Sequence, residues 1–377
     1  MTESPQPATP ADLLEAAARL LPGHRDIESV PGCADLIRVN TVQGWTRVTR
    51  WQEGVTAERI ATTHAIFERG VEAEIRCLPS PYSGPNGEAS IALPGGHRYE
   101  AREWLPGAPV FREEQIPDLP LPEFAPLDHL AELAANIGNL HTASQRIVDQ
   151  RKLTPVPLTV LHRSIALAGQ DERRLLSGKD RTYPPIRIWQ RASERIIPAA
   201  ADAIGLLQAG EGKRFVATHG NLWPEHMLYT RSGEAMRLSG ITGWSRLSAS
   251  SPLVDLAQIV ARHRGWSQDA AEVVLESYQS VAPLLPEERR AFPMIVGLDL
   301  LAVAGPLLIS RVAAATGELR MGGTQHHALQ VALERTLAAL DKLVPLLGGY
   351  DSASPKRGRK WVYRDQPGGR GRPPGRA

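Results

Sequence analysis

The sequence is short of cysteine, of long apolar runs and of any recognisable leader, and each shortage excludes a class of protein. Only two cysteines, Cys33 and Cys77, occur in 377 residues, far apart and in no metal-ligand spacing. That excludes a disulfide-built scaffold and a cysteine metal site, and two free thiols in a reducing compartment are the expectation. The start, MTESPQPATPADLLEAA, is polar, proline-rich and acidic. It lacks the basic segment and apolar run of a signal peptide, so a cytoplasmic protein is expected. The most apolar window, 294–310, carries Asp299 and Pro306 and is too short and interrupted to span a bilayer, so no membrane partner is expected. No internal repeat is present.

What is present is an ordinary globular composition, 42% hydrophobic and 22% charged, in a chain long enough for two lobes with their own cores. The net charge of +2 hides an asymmetry. Residues 352–377 carry eight Lys or Arg against one Asp, so the tail is +7 and the body −5. This tail, rich in Gly, Pro and Arg, cannot build a core. It is expected to be a solvated end, with salt-dependent contact to nucleic acid or an acidic partner, helped by Trp361 and Tyr363, as the sharper alternative.

Along the chain the apolar period changes. Residues 11–21 show helical spacing through Leu13, Leu14, Ala17, Leu20 and Leu21. Period-two alternation then predicts strands at 26–29, 35–41 and 45–51. A helix is predicted over 55–69, stopped by Gly70, then strands at 74–77, 89–93 and 97–104, with 79–87 a loop. Residues 108–126 are proline-rich and read as a connector. From 128 onward helices dominate: 130–141, 166–176, 186–208 bent at Pro198, 255–264, 267–282, 286–316 in one or two helices broken by Pro293 and Pro306, and 326–347. Between them lies a strand at 214–217, a loop with His219, Asn221 and His226, a hairpin turning at Ser232-Gly233-Glu234, and a second loop at Gly243-Trp244. A polar loop pinned by strands on both sides is a usual place for chemistry.

The order of that central stretch resembles the aminoglycoside phosphotransferase and choline kinase-like family, which has the protein kinase-like fold. The family pattern H-G-D-x-x-x-x-N, a hairpin, I-D-W, then D-P-x-x-D-L-A is matched here by HGNLWPEHMLY, ITGWSRL and SPLVDLA at the same spacing. The three-strand start, the LPG hinge after Trp104 and the helix ending GNLH (138–141) are also similar, so the resemblance covers about residues 25–347. It implies an α+β fold of two lobes, a small antiparallel-sheet N-lobe and a mostly helical C-lobe. The expected divisions are a 1–24 extension with a helix, an N-lobe at 25–107, a C-lobe at 108–349 and a basic tail at 350–377.

The resemblance also implies a chemistry: magnesium-dependent phosphoryl transfer from ATP, with an Asp as base and an Asn and a second Asp on the metal. This chain has Asn221, His226 and Gly243 at those three positions. An amide cannot take up a proton near neutral pH, an imidazole is a poor magnesium ligand, and glycine offers nothing. Loss of the base costs roughly 10²–10⁴-fold, and loss of the metal removes the main charge neutralisation. A pseudokinase that binds a nucleotide, a small metabolite or a protein partner between the lobes is therefore expected. ATP is the cofactor implied, and the missing acids argue against magnesium. An active kinase that uses His226 with Glu225 in a rearranged site is the alternative. Arg50, with Arg47 as the alternative, is expected to meet the phosphates. The usual helix glutamate is missing near Thr62, Thr63 and His64, and the phosphate-covering loop is reduced to Pro31-Gly32-Cys33.

Other residues have plainer expectations. His219 should bond backbone carbonyls near the second loop, and Trp223 and Trp244 should pack. Asp255 should cap its helix, and His263, His326 and His327 should lie on helix surfaces. On spacing alone, Asn221→Asp with Gly243→Asp should restore a magnesium site.

Overall fold

The computed structural model describes residues 10–30, 33–109, 125–150, 152–177, 183–209, 214–233 and 235–349. The basic tail, Pro31, Gly32 and most of the 108–126 connector lie outside them. The small lobe runs α1 (Pro10–Leu20), β1 (Ile27–Ser29), β2 (Leu36–Thr41), β3 (Gly44–Arg50), α2 (Ala57–Glu72), β4 (Pro81–Tyr82), β5 (Ile91–Ala92) and β6 (Arg98–Glu103). Its antiparallel sheet has the order β1-β2-β3-β6-β4, with β5 also on β6.

The two faces of this sheet have different tasks. Side chains alternate along a strand, so residues two apart share a face. Ile37, Val39, Val48, Tyr99 and Ala101 form one face and are buried under Leu13, Ala16, Ala17 and Leu20 of α1. The opposite face takes α2: His64 bonds Glu100, and the Arg102 guanidinium lies 5.3 Å from the Phe67 ring.

Two small-lobe expectations are corrected. No strand forms at 74–77, because α2 runs on to Glu72 and Glu74 turns the chain with φ 60°. Ile75 and Cys77 there are buried, but in the core of the large lobe rather than in the sheet. The pairing strand forms at Pro81–Tyr82, inside the stretch expected to be loop.

The large lobe continues with α3 (Leu127–Ala143), α4 (Gln145–Asp149), α5 (Leu158–Leu176), α6 (Pro184–Ala209), β7 (Val216–Thr218), β8 (Met227–Ser232), β9 (Ala235–Ile241), β10 (Ser248–Ser250), α7 (Leu253–His263), α8 (Gln268–Gln279), α9 (Pro286–Ala315) and α10 (Gly323–Leu343). Helix α9 is continuous despite Pro293 and Pro306. An interior proline costs about 3 kcal/mol, yet α9 buries Phe292, Met294, Ile295, Leu298, Leu300, Leu301 and Leu308 among α5, α6, α7 and α10. Each such side chain contributes about 1.5–3 kcal/mol on burial, so packing outweighs the two breaks. With mean hydropathy 2.1 over its most apolar window α9 is long and apolar enough to cross a membrane, but 61% of that window is buried inside the protein.

One core joins the lobes. Ile66, Phe67, Ile75, Cys77 and Leu78 of the small lobe belong to the same buried cluster as the large-lobe helices. Phe67 meets Trp244 edge-on, with centroids 5.1 Å apart at 78°. Both cysteines are free, and burial pushes the Cys77 thiol up to about 12, so it stays protonated. The β8–β9 hairpin is held to the small lobe as well: Ile241 N–H donates to the Cys77 carbonyl at 2.8 Å, and Ala108 and Tyr229 exchange main-chain bonds of 3.2 and 3.0 Å.

Because Phe67 is fully buried across the lobe junction, Phe67→Ala should lower stability by about 3–5 kcal/mol. Denaturant unfolding measures this, and a loss below 1 kcal/mol would show that the junction is not packed as described.

Candidate functional site

Two short strands place the site. Strand β7, buried along its length, pairs antiparallel with β10, Thr218 opposite Ser248 and Val216 opposite Ser250. The loop 219–226 leaves β7 and the loop 242–247 enters β10, so both polar loops issue from the same end of one small ladder.

Asp255, in the first turn of α7, holds the first loop. Its carboxylate accepts the His219 N–H at 2.8 Å and the Gly220 N–H at 2.8 Å, and His141 of α3 donates Nε2–H to it at 3.2 Å. Tyr278 of α8 donates its hydroxyl to His141 Nδ1 at 3.0 Å and accepts from Arg214 at 3.1 Å. Burial alone would raise the Asp255 carboxyl, but His141, His219 and the Gly220 N–H together hold it below its usual range. Asp255 is therefore not a helix cap, as expected from its position near Pro252. Buried and charged, it spends its lone pairs on the loop's N–H groups.

His219 is saturated. Its Nε2–H donates to the Thr242 carbonyl at 2.8 Å, and Nδ1 accepts the Asn221 N–H at 3.1 Å. Both nitrogens are satisfied only in the neutral ring, and burial drives its pKa down to about 4. The ring packs 4.3 Å from Trp244, whose Nε1–H donates to the Ile241 carbonyl at 2.7 Å. His219 and Trp244 thus hold the two loops together, as their types predicted.

Asn221 and His226 meet. The His226 Nδ1–H donates to the Asn221 main-chain carbonyl at 2.8 Å, so the Asn221 amide nitrogen 3.4 Å from the same atom makes only a contact. That tautomer leaves Nε2 with a free lone pair. Glu225 is not part of the group: it is exposed on the 3-10 turn Pro224–His226, and no bond joins it to His226 among the described residues.

Gly243 explains the exchange of residue types. Its φ is +79°, and a Cβ built on it would lie 2.5 Å from His226 Nδ1 and 2.6 Å from Cε1. The imidazole occupies the room that a side chain at 243 needs. Magnesium seeks oxygen donors, carboxylates above all. An amide, an imidazole and a glycine do not fit it, and among the described residues no three His, Cys, Asp or Glu side chains converge on one point. The double substitution Asn221→Asp with Gly243→Asp therefore meets an obstacle that the spacing does not show: a side chain at 243 fits only if the His226 ring shifts.

Around the loop, Trp223 packs under the Arg262 guanidinium, 4.4 Å from its ring, and Arg262 is held by Asp299 through bonds of 2.9 and 2.8 Å. His263 is not a surface residue. It is 5% exposed, donates Nε2–H to the Leu222 carbonyl at 3.2 Å, and burial lowers it to about 4.

The small-lobe cations separate by face. Arg50 shares parity with Val48, lies on the α1 side and pairs with Asp35. Arg47 lies on the opposite face, in register with Arg102. Where the helix lacks a glutamate the pair is reversed: His64 of α2 bonds the Glu100 carboxylate at 2.8 Å, and Arg102 stands 2.5 Å from it. Burial pushes Glu100 up, but Arg102, His64 and Arg47 outweigh it and keep the carboxylate charged. The sequence expectation missed Glu100. Its signal was an acid alternating with Tyr99 and Ala101 in a strand whose other face is apolar.

A five-strand path with a helix over one face, a hinge at 104–107 and a helical lobe carrying a loop-hairpin-loop unit defines the protein kinase-like fold. The model of the APH phosphotransferase enzyme family matches residues 34–292, and the chain belongs to that family. Among solved structures it is similar to an aminoglycoside phosphotransferase from Alicyclobacillus acidocaldarius, at 16% identity and a TM-score of 0.62, over 92% of this chain and 99% of that one. It is also similar to the spectinomycin phosphotransferase APH(9)-Ia in complex with ADP and spectinomycin, at 10% identity and a TM-score of 0.56, over 90% and 99%. At these identities the likeness shows the fold alone. No curated protein matches the chain.

The two buried histidines set a pH dependence. His219 and His263 titrate near 6.5 when unfolded but only at about 4 in the fold. Below 6.5 the unfolded chain binds protons that the folded chain refuses, so stability is full above 6.5 and falls as pH drops toward 4, by roughly 3 kcal/mol per ring at the end of the window. Asp255, held low, adds a loss only at still lower pH. Urea midpoints from pH 7.5 to 4.5 should fall steeply below 6.5, and His263→Gln should remove about half of that slope. A flat profile would show that neither ring is held neutral.

Proposed function

We propose that this phosphotransferase-family protein binds a nucleotide between its lobes without carrying out magnesium-dependent transfer to a hydroxyl. The observation that supports this best is steric. The His226 ring fills the side-chain volume of Gly243 and is locked there by the Asn221 carbonyl. The positions for base and metal acids are thus not merely empty of carboxylates. They are rebuilt as a hydrogen-bonded pair. The structurally similar spectinomycin phosphotransferase was solved with ADP, and the shared fold supports a nucleotide as the ligand of this cleft. The charged face of the small-lobe sheet, where Arg47 stands beside Arg102 while Arg50 lies on the α1 side, supports contact with its phosphates.

One observation favours a second reading. Nε2 of His226 keeps a lone pair on a half-buried ring beside Asn221, which is the form a general base takes. Phosphate transfer in EDTA that is lost in His226→Gln would establish it.

Thermal unfolding separates the readings. ATP should raise the midpoint equally in EDTA and in magnesium; a shift several degrees larger with magnesium would sink the metal-free reading. The triple variant Asn221→Asp, His226→Asn, Gly243→Asp should gain a magnesium-dependent shift, while the double variant that keeps His226 should not. If the double variant also gains it, His226 does not obstruct the site.

A further inference from the structure

Between α5 and α6 opens a cavity of about 220 Å³ lined by Arg173, Ser177, Gln190 and Glu194. The two helices run in opposite directions: His162 bonds the Ile197 carbonyl, and Arg173, further along α5, bonds Ser193, which is earlier on α6. Arg173 and Ser177 stand one turn apart on α5, as Gln190 and Glu194 do on α6. Residues at that spacing share a helix face, so each helix turns one such pair toward the other. The cavity is remote from the loops of the candidate site. Helix α5 starts at Leu158, just after the Val156 N–H donates to the Ala249 carbonyl of β10 at 2.8 Å. At about 1.5 Å per residue, Arg173 lies roughly 22 Å from that start.

The cavity holds one charge of each sign, and they do not meet. Among the described residues neither Arg173 nor Glu194 is in an ion pair. The charges beside them are engaged elsewhere. Asp171 pairs with Arg174, Arg191 pairs with Asp341, and the Glu172 carboxylate lies against Gly305 of α9. A cation and an anion that line one cavity without touching leave a gap that a molecule carrying both charges can bridge.

Arg173 is also held in place. Its Nη2 donates to the Ser193 hydroxyl at 2.6 Å, and Ser193, 1% exposed, donates in turn to the Gln190 carbonyl at 2.9 Å. This anchor fixes the guanidinium and leaves its other N–H groups for an acceptor. One turn along, the Ser177 hydroxyl donates to the Arg174 carbonyl at 2.8 Å, so it has lone pairs left to offer. The Gln190 side-chain amide can both donate and accept.

We propose that this cavity binds a free amino acid with a polar side chain. Arg173 meets its carboxylate, Glu194 meets its ammonium, and Ser177 and Gln190 meet its side chain. Charge selects this class. A purely anionic ligand would bring its charge against Glu194, and a purely cationic one against Arg173. Size selects it too, because the volume lies below the roughly 300–1,000 Å³ of pockets that take drug-sized ligands. The assignment does not depend on what the cleft between the lobes binds.

Thermal unfolding of the full chain with each standard L-amino acid at millimolar concentration tests this, followed by calorimetric titration with serine, glutamine and leucine. Serine or glutamine should raise the midpoint and bind more tightly than leucine. N-acetylation of the bound amino acid removes its ammonium, and conversion to the amide removes its carboxylate. Each change should weaken binding about 10-fold or more, as expected for loss of a charge-assisted bond. Arg173→Gln and Glu194→Gln should each weaken the free amino acid to a similar extent. Because Glu194 is exposed and Arg173 half-buried, both variants should keep the urea midpoint of the ligand-free protein nearly unchanged. No shift with any amino acid overturns the proposal. So does equal binding of the N-acetylated form or of the amide, since the site would then read one charge alone. Binding that survives Arg173→Gln combined with Glu194→Gln places the ligand elsewhere and overturns the cavity as its site. A preference for leucine overturns the part given to Ser177 and Gln190.

Discussion

The buried carboxylate of Asp255 is the constraint on which the site depends. A charge with no exposure is tolerated only when its lone pairs are met, and here two backbone N–H groups and an imidazole meet them. Because the N–H groups belong to His219 and Gly220, meeting the charge also fixes the path of the loop. Because the imidazole belongs to α3 and is backed by Tyr278 of α8, the same charge ties three helices to that loop. Leaving any member unpaired would expose a buried polar group at a cost of about 1–3 kcal/mol.

With the loop fixed, the two substituted positions become one event. His226 cannot keep its ring against the Asn221 carbonyl unless position 243 lacks a side chain, and a glycine at +79° provides that room without strain. The small lobe shows a second exchange of the same kind. The link between its helix and its sheet persists, but the helix contributes the histidine and the sheet contributes the acid. Both exchanges keep a hydrogen-bonded link while changing which residue types make it.

Much of the architecture was legible in the chain. Periodicity located β1, β2, β3, β5, β6 and α2 but not β4, and the spacing from His219 to Asp255 located the loop-hairpin-loop unit. His219 and Trp244 were legible as structural because a tight loop between strands leaves few other roles. Local pattern failed where a residue's partner lay far away in sequence. Asp255 looked like a cap because its bonds run to residues 35 and 36 positions away. Residues 75 and 77 alternate like a strand but pack into the other lobe. Pro293 and Pro306 looked like breaks because the helices that bury α9 were not yet in view. Arg47 and Arg50 are both cations of one strand, and only the placement of α1 tells which face each occupies.

The sequence by itself determined the family, the order of elements and the loss of the acids at 221 and 243, because these reside in residue type and spacing. Only the tertiary structure decided what replaced them. Steric exclusion between His226 and Gly243, the reversed pair of His64 and Glu100, and the register that aligns Arg38, Arg47 and Arg102 are contacts between distant segments. Such contacts exist only once backbone hydrogen bonding and burial have brought the segments together, so no local pattern carries them.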